Sequence, residues 1–379
     1  MLLNWLLGAG LVFAQAAPVE RLTVNAGFRD WGPATVAGTT ILAGNQTGQG
    51  GTFAIDMVSG KVKWAHRPNF PSGTGSVSTP PAVAGDLVIT AYSAAYPGAV
   101  VGLSLATGKE VWRGKDPAQG AAPAVSGGLA YILDKNGSFY ALDAATGRER
   151  WKVALSNRGG CASRPIVRDD TVYLTANASD VAKRGGNYLI ALDAKTGQER
   201  WRYRAEAPYV HDGVCLRQPV VTEDTIFAAG DNYLYAVERA TGRERWKPVE
   251  VRRVVEGRER PVEVFGLVDA GPVVAGMTSG FLITFDKGSG RTVWELPGKF
   301  RESSPAMAVA GRVLYFQGSP DGRPAVAATG TLYALDLDSK ALLWSFSRVT
   351  AERNWAFGHV TVVDGGLWVD SYQALVKLQ

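Results

Sequence analysis

The chain has few of the residues that metal and nucleophilic sites depend on. Its 379 residues include two cysteines, three histidines and four methionines. His66, His211 and His359 show no metal-ligand spacing, so no metal site is expected. No segment has a helical period, and therefore no glycine-rich loop opens a helix that would hold a phosphate. Beyond the first residues, no apolar run is long enough to span a bilayer. Charge of one sign is also missing: 40 basic residues face 35 acidic ones, for a net charge of +5. The basic residues sit in turns and last strands (Lys61, Lys109, Arg148, Arg243, Arg291), spread along the sequence with no basic cluster interleaved with aromatics. That pattern reads as solvated turns rather than a nucleic-acid surface. Linker-like stretches are absent too, which indicates one domain over residues 17–379.

What the chain does have is a repeat. An eleven-residue phrase ending in tryptophan occurs seven times, closing at Trp64, Trp112, Trp151, Trp201, Trp246, Trp294 and Trp344. Two copies read ALDAATGRERW and ALDAKTGQERW. The spacings are 48, 39, 50, 45, 48 and 50 residues, a period that belongs to propellers and solenoids. Each repeat contains four short apolar runs separated by turn residues. The third strand of the third repeat, SFYALDA, reads as an alternation of apolar and polar positions. A four-stranded antiparallel unit cannot bury both faces alone, but radial stacking lets units cover one another.

The phrase predicts its own packing. A small residue at its first position (Ala141, Ala191) permits close approach of sheets, and Thr-Gly at positions six and seven makes the turn. The tryptophan is expected at the end of the fourth strand, facing the next blade. An eighth copy, YQALVKLQ, places Ala374 at the first position and stops at Gln379. Residues 18–22, PVERL, align with GRERW at 147–151, which puts Leu22 in the tryptophan position. The expected fold is all-β: a single eight-bladed β-propeller of four-stranded antiparallel blades, its ring closed by an N-terminal strand.

The first residues read as a signal peptide. LLNWLLGAGLVF is apolar, and Ala14-Gln15-Ala16 is a small-x-small cleavage site. Residues 1–16 are therefore expected to be removed and the mature chain to be extracytoplasmic, periplasmic or secreted. Cys161 and Cys215 each lie four residues before a proline, at one repeat position in consecutive blades. Outside the cytoplasm a disulfide is the natural outcome, with two free buried thiols as the alternative.

Loop lengths differ between the two faces of such a ring. First-to-second and third-to-fourth turns are short and uniform. Second-to-third and blade-to-blade connections carry the insertions, at 93–100, 177–186 and 317–330. After Trp246 an extra hairpin is expected, with Arg252, Arg253, Arg258 and Arg260 balanced by Glu250, Glu256, Glu259 and Glu263. Function tends to sit on loops held by a rigid scaffold, so the varied face is the candidate working face. Its hub is expected to gather Arg29, Trp31, Arg164, Asp212, Arg217, Asp269, Arg301, Trp355 and Phe357. Arginine with aromatics suits a peptide, a carboxylate or a sugar. Alternatively the arginines pair with Glu302, Asp30 or backbone carbonyls and fill the channel.

The phrase resembles the tryptophan-docking motif of PQQ-type propeller repeats, within the wider superfamily of WD40- and YVTN-like propellers. In the PQQ-dependent alcohol dehydrogenases of that group, two adjacent cysteines cover the quinone, and Glu, Asn and Asp hold calcium. Here the cysteines are 54 positions apart, and no Glu/Asn/Asp set falls on successive inner strands. The resemblance therefore implies neither PQQ nor calcium, and no catalytic residue. Similarity is closer to the BamB branch of β-barrel-assembly propellers. Asp269, three residues before Pro272, matches an acidic position used there for partner contact, and Arg217 is a loose match. The departure is that no cysteine follows the cleavage site for a lipid anchor. The implied role is a non-enzymatic, monomeric interaction scaffold for a protein or peptide of the cell envelope, with outer-membrane protein assembly as its finer form. The alternative is a PQQ-dependent oxidoreductase or a small-ligand-binding propeller.

Overall fold

A computed structural model describes residues 18–24, 31–45, 50–68, 75–77, 79–94, 98–114, 122–134, 137–155, 163–179, 185–205, 216–230, 232–255, 257–278, 280–298, 307–318, 331–347, 357–363, 366–371 and 374–379. The described chain is all β-structure, an eight-bladed propeller of four-stranded antiparallel blades. Blade 3 is typical: Ala124–Ser126 at the hub, then Leu129–Leu133, Ser138–Asp143 and, outermost, Glu149–Ala154. Inner strands of successive blades lie side by side around the hub.

Blade-to-blade packing explains the sequence pattern. The strand Ser138–Asp143 is buried from Phe139 to Leu142, so it is not the half-exposed strand that its alternation suggests. Alternate residues face opposite neighbours. Phe139 and Ala141 join Val172, Leu174, Ile190 and Leu192 of blade 4. Tyr140 and Leu142 join Ile89, Ala91, Val100 and Trp112 of blade 2. Only the outermost strand alternates between solvent and core: Glu149, Arg150 and Lys152 are exposed around a buried Trp151.

The tryptophan is third in its outer strand rather than at its end, because a register shift after the turn places Trp151 opposite Ala141. From there the indole reaches the next blade. Nε1 of Trp64, Trp112, Trp151, Trp201 and Trp246 donates to the carbonyl of Leu105, Ala144, Ala194, Arg239 and Lys287 respectively, at 2.7–3.1 Å. Each ring also covers the turn glycine of that blade. A Cβ on Gly147 would stand 2.4 Å from Trp112 Cε3, and its φ of +70° already favours glycine. Each docked indole contributes about 2–3 kcal/mol of burial and about 1 kcal/mol for its hydrogen bond.

The ring closes between the two ends of the described chain. Blade 8 comprises Phe357–Val363, Gly366–Ser371, Leu375–Leu378 and, as its outer strand, Glu20–Val24. Val19 and Gln379 exchange backbone hydrogen bonds of 2.7 and 3.1 Å. Leu22 pairs with Lys377 and Glu20 with Leu378, with the same one-residue shift that Trp151 and Glu149 show in blade 3. Leu22 thus takes the tryptophan position. Lys377, not Ala374, stands first in the eighth phrase, since Lys377 faces Trp368 as Ala141 faces Tyr131. At the hub, Thr361 Oγ1 donates to the carbonyl of Ala34 at 3.3 Å, tying blade 8 to blade 1.

Candidate functional site

The two faces differ in how their polar groups are used. On the plain face the phrase turns satisfy themselves. Asp143 Oδ1 accepts from the amide and hydroxyl of Thr146 at 3.0 and 2.8 Å, and Asp193 repeats this with Thr196 at 2.9 Å each. Arg200, with help from Thr196, holds the Asp193 carboxyl at about 2. Hydrogen bonds from Ser59 do the same for Asp56.

The other face carries the extensions. Much of the insertion at 177–186 is strand, pairing out to Ser179 opposite Gly185. The insertion at 93–100 likewise continues Leu87–Ala94 and Ala99–Ser104. The segment 317–330 lies mostly outside the described residues. The hairpin after Trp246 forms from Arg252–Val255 and Arg258–Pro261. Val251, Val262 and Val264 root it between blades 5 and 6, and Arg253 ties it to Glu295 and Thr292.

Of the nine hub residues, Arg164 and Arg217 lie together at this face, just before the inner strands Ile166–Arg168 and Val220–Val221. Gln218 joins them: Arg164 N donates to Gln218 Oε1 at 2.9 Å, and Gln218 Nε2 returns a bond to the Arg164 carbonyl at 3.1 Å. Arg217 pairs with Glu263, at the foot of the hairpin, at 2.5 Å. Arg217 is therefore paired, though with Glu263 rather than with Glu302, Asp30 or a backbone carbonyl.

Two expectations for the hub are corrected. Asp269 lies at the opposite face, beside the turn at Gly271 and in a 2.6 Å ion pair with Lys287. Asp170 and Lys195 form an ion pair at the same face in blade 4. The reason is that Pro272 falls in the turn after the inner strand, whereas Pro165 and Pro219 precede theirs. Trp31 is at the right end of its blade but offers no surface. It is 3% exposed, edge-on to Phe53 with centroids 5.2 Å apart, and fills the seam between blades 1 and 8. Phe357 opens the inner strand of blade 8, its side chain outside the described residues. Arg29, Asp212, Arg301 and Trp355 also lie outside them, as do Asp30, Glu302, Cys161 and Cys215.

Sequence reasoning missed a polar chain between blades 1 and 2. Thr90, Thr52, Tyr92 and His66 link at 3.1, 2.8 and 2.9 Å, and His66 Nε2 stands 3.6 Å from Glu110, which Arg113 holds at 2.6 Å. Burial pushes the Tyr92 hydroxyl well above its ordinary range and lowers the imidazole pKa of His66. His66 and Tyr92 are 26 residues apart and meet only because blades stack.

Among the described residues, no group of three or more His, Cys, Asp or Glu is placed to hold a metal. At the described part of the hub mouth Glu263 is engaged by Arg217, while Asp269 is at the far end. No helix among the described residues is long and apolar enough to cross a membrane.

The fold is shared with proteins of different function. The BamB structure from Moraxella catarrhalis superimposes with a TM-score of 0.68 at 16% identity, covering 96% of this chain and 97% of that one. A europium-containing methanol dehydrogenase gives 0.65 at 15% identity, over 93% and 84% of the two chains. At such identities these likenesses show the fold alone. The serine/threonine-protein kinase AfsK of Streptomyces griseus is 30% identical over 114 residues, which are 28% of this chain and 14% of the kinase. A family model described as outer membrane protein assembly factor BamB matches residues 15–122 and 97–345. Since that match spans most of its length, the chain belongs to the BamB family.

Proposed function

We propose that the protein is a non-enzymatic interaction scaffold of the cell envelope, holding a protein or peptide partner on the face that bears the extended hairpins. The observation that carries this reading is the asymmetry of the faces. Plain-face turns spend their polar groups on themselves, whereas the other face presents Arg164, the Arg217–Glu263 pair and the 252–261 hairpin on a rigid ring. Membership of the BamB family supports the same reading and favours an extracytoplasmic location after cleavage at Ala16. A role in outer-membrane protein assembly is the finer form of this proposal.

Capture of partners from an envelope extract by the purified mature chain tests it. Replacing Arg217, Arg301 and Trp355 with alanine should reduce capture, and replacing Arg148 and Arg243 should not. Loss on the plain-face changes alone would reverse the face assignment. Dye-linked alcohol oxidation on addition of PQQ and calcium would replace the scaffold reading with the quinoprotein one.

A further inference from the structure

Each blade ends in an outer strand whose far edge has no neighbour in its own sheet. Such an edge offers a row of backbone donors and acceptors to another strand, and charged side chains or proline are the usual protection. Seven of the eight edges have it. Lys63, Arg113, Arg150, Arg200, Arg245 and Glu295 each sit beside the docking tryptophan of their strand, and Arg21 sits beside Leu22. Pro248 and Pro297 also interrupt two of these strands.

Blade 7 is the exception. Its outer strand, Leu342–Ser347, reads LLWSFS and carries neither charge nor proline. Leu343 and Ser345 flank Trp344 at the positions where blades 3, 4 and 5 each have two cations. Leu343, Ser345 and Phe346 are half-buried and Ser347 is exposed, so the edge is open to approach. Among the described residues no strand pairs with it.

The strand also matches a reversed copy of itself. Antiparallel overlap of all six residues sets Leu342 against Ser347, Leu343 against Phe346 and Trp344 against Ser345. Large side chains thus meet small ones, and Leu343 and Phe346 form an apolar cross-strand pair. The same overlap elsewhere brings like charges together. In blade 4 it sets Arg200 against Arg204 and Arg202 against its own copy. In blade 5 it sets Glu244 against Glu250 and Lys247 against its own copy. Those edges repel a second copy of the chain, whereas the edge of blade 7 does not.

We infer that the outer edge of blade 7 is a self-association surface, joining two copies of this chain by antiparallel pairing of Leu342–Ser347 about a two-fold axis. The inference goes beyond the scaffold reading and departs from the monomer that the family resemblance implies. Outer strands run from the plain-face turns toward the extended face. Antiparallel pairing therefore points the two extended faces in opposite directions, and a dimer offers two partner sites that do not obstruct each other. One pair of short strands is a small interface, under about 1,200 Å², so the dissociation constant should be on the order of 10–100 µM.

Sedimentation velocity of the mature chain from about 1 to 300 µM tests this. The wild type should pass from monomer to dimer and no further, because the pairing consumes the edge. Ser345→Lys gives blade 7 the charge that blades 3 and 5 carry after their tryptophan, and should weaken association about tenfold or more. Ser347→Lys, at an exposed position, should weaken it in the same direction. Both variants should melt with the wild type at the lowest concentration, which separates lost pairing from lost fold. A chain that stays monomeric throughout overturns the inference, as does association that neither variant changes. If the wild type stays monomeric but binds a blocked threonine–valine hexapeptide, and both variants lose that binding, the edge receives a foreign strand and self-association falls.

Discussion

Leu22 lies against Gly60 as an indole lies against the turn glycine at five other seams. A Cβ on Gly60 would stand 2.7 Å from Leu22 Cδ1, as one on Gly147 would stand 2.4 Å from Trp112 Cε3. The seam between blades 8 and 1 therefore keeps the geometry of docking without the indole's hydrogen bond or its full area. Leu22→Trp should place Nε1 near the carbonyl of Met57, the counterpart of Ala144, and stabilise the protein by about 1 kcal/mol. Leu22→Ala should cost about 1–2 kcal/mol. Urea midpoints at constant slope measure both, and a tryptophan variant less stable than the wild type would contradict the docking geometry.

Turn glycines should separate by what covers them. Gly147 has φ +70° and the Trp112 ring upon it, whereas Gly127 has φ +57° and nothing within 4 Å of a Cβ. Gly127→Ala carries only the backbone penalty, about 1 kcal/mol. Gly147→Ala must also displace the indole and should cost about 2–4 kcal/mol. Equal melting temperatures for the two variants would show that the indole yields freely.

His66 should make stability depend on pH. Burial, the largest influence, lowers its pKa below the ordinary 6.5, with Glu110 opposing. The unfolded chain therefore takes the proton first as pH falls. The contribution is present in full above 6.5 and is lost as pH falls from there through the folded-state value. One proton limits the slope to about 1.4 kcal/mol per pH unit. His66→Gln should flatten the melting-temperature profile between pH 7 and pH 5, and an unchanged profile would remove His66 from the titration.

Cys161 and Cys215 are expected to be joined, from their equal offsets before Pro165 and Pro219. Closing that loop should contribute about 3–4 kcal/mol, largely through the unfolded chain. A peptide map without reductant should recover one linked pair. Recovery of two alkylated thiols would exclude the bond.

The repeat was legible because each letter has a local physical duty. The glycine needs positive φ, the alanine a close approach and the tryptophan a turn to dock on. Leu22 could be placed because its distance to Pro33 equals that from Trp112 to Pro123. Ala374 could not, because no turn follows to anchor the register, and the pairing of Lys377 with Trp368 decides it. Asp269 was misplaced by a proline that serves a turn in blade 6 and a strand entry elsewhere. Trp31 resembled a hub aromatic, since nothing in the sequence says that the ring-closing seam needs filling. The Gln218 clamp on Arg164 joins residues 54 apart and requires knowing that blades 4 and 5 meet at their entrances.

The outer strand of blade 8 also sets an order of events. Glu20–Val24 pairs with Leu375–Leu378. At roughly 5–20 residues per second, about 20–70 s of synthesis separates the two strands. Throughout that time the strand waits without its partner, Leu22 and Val24 uncovered, while seven blades can form behind it. Among the described residues this last pairing has the greatest sequence separation and the largest loop-closure cost, so ring completion should be the slow step of folding. A chaperone that covers one short segment near the N-terminus would protect the whole nascent ring.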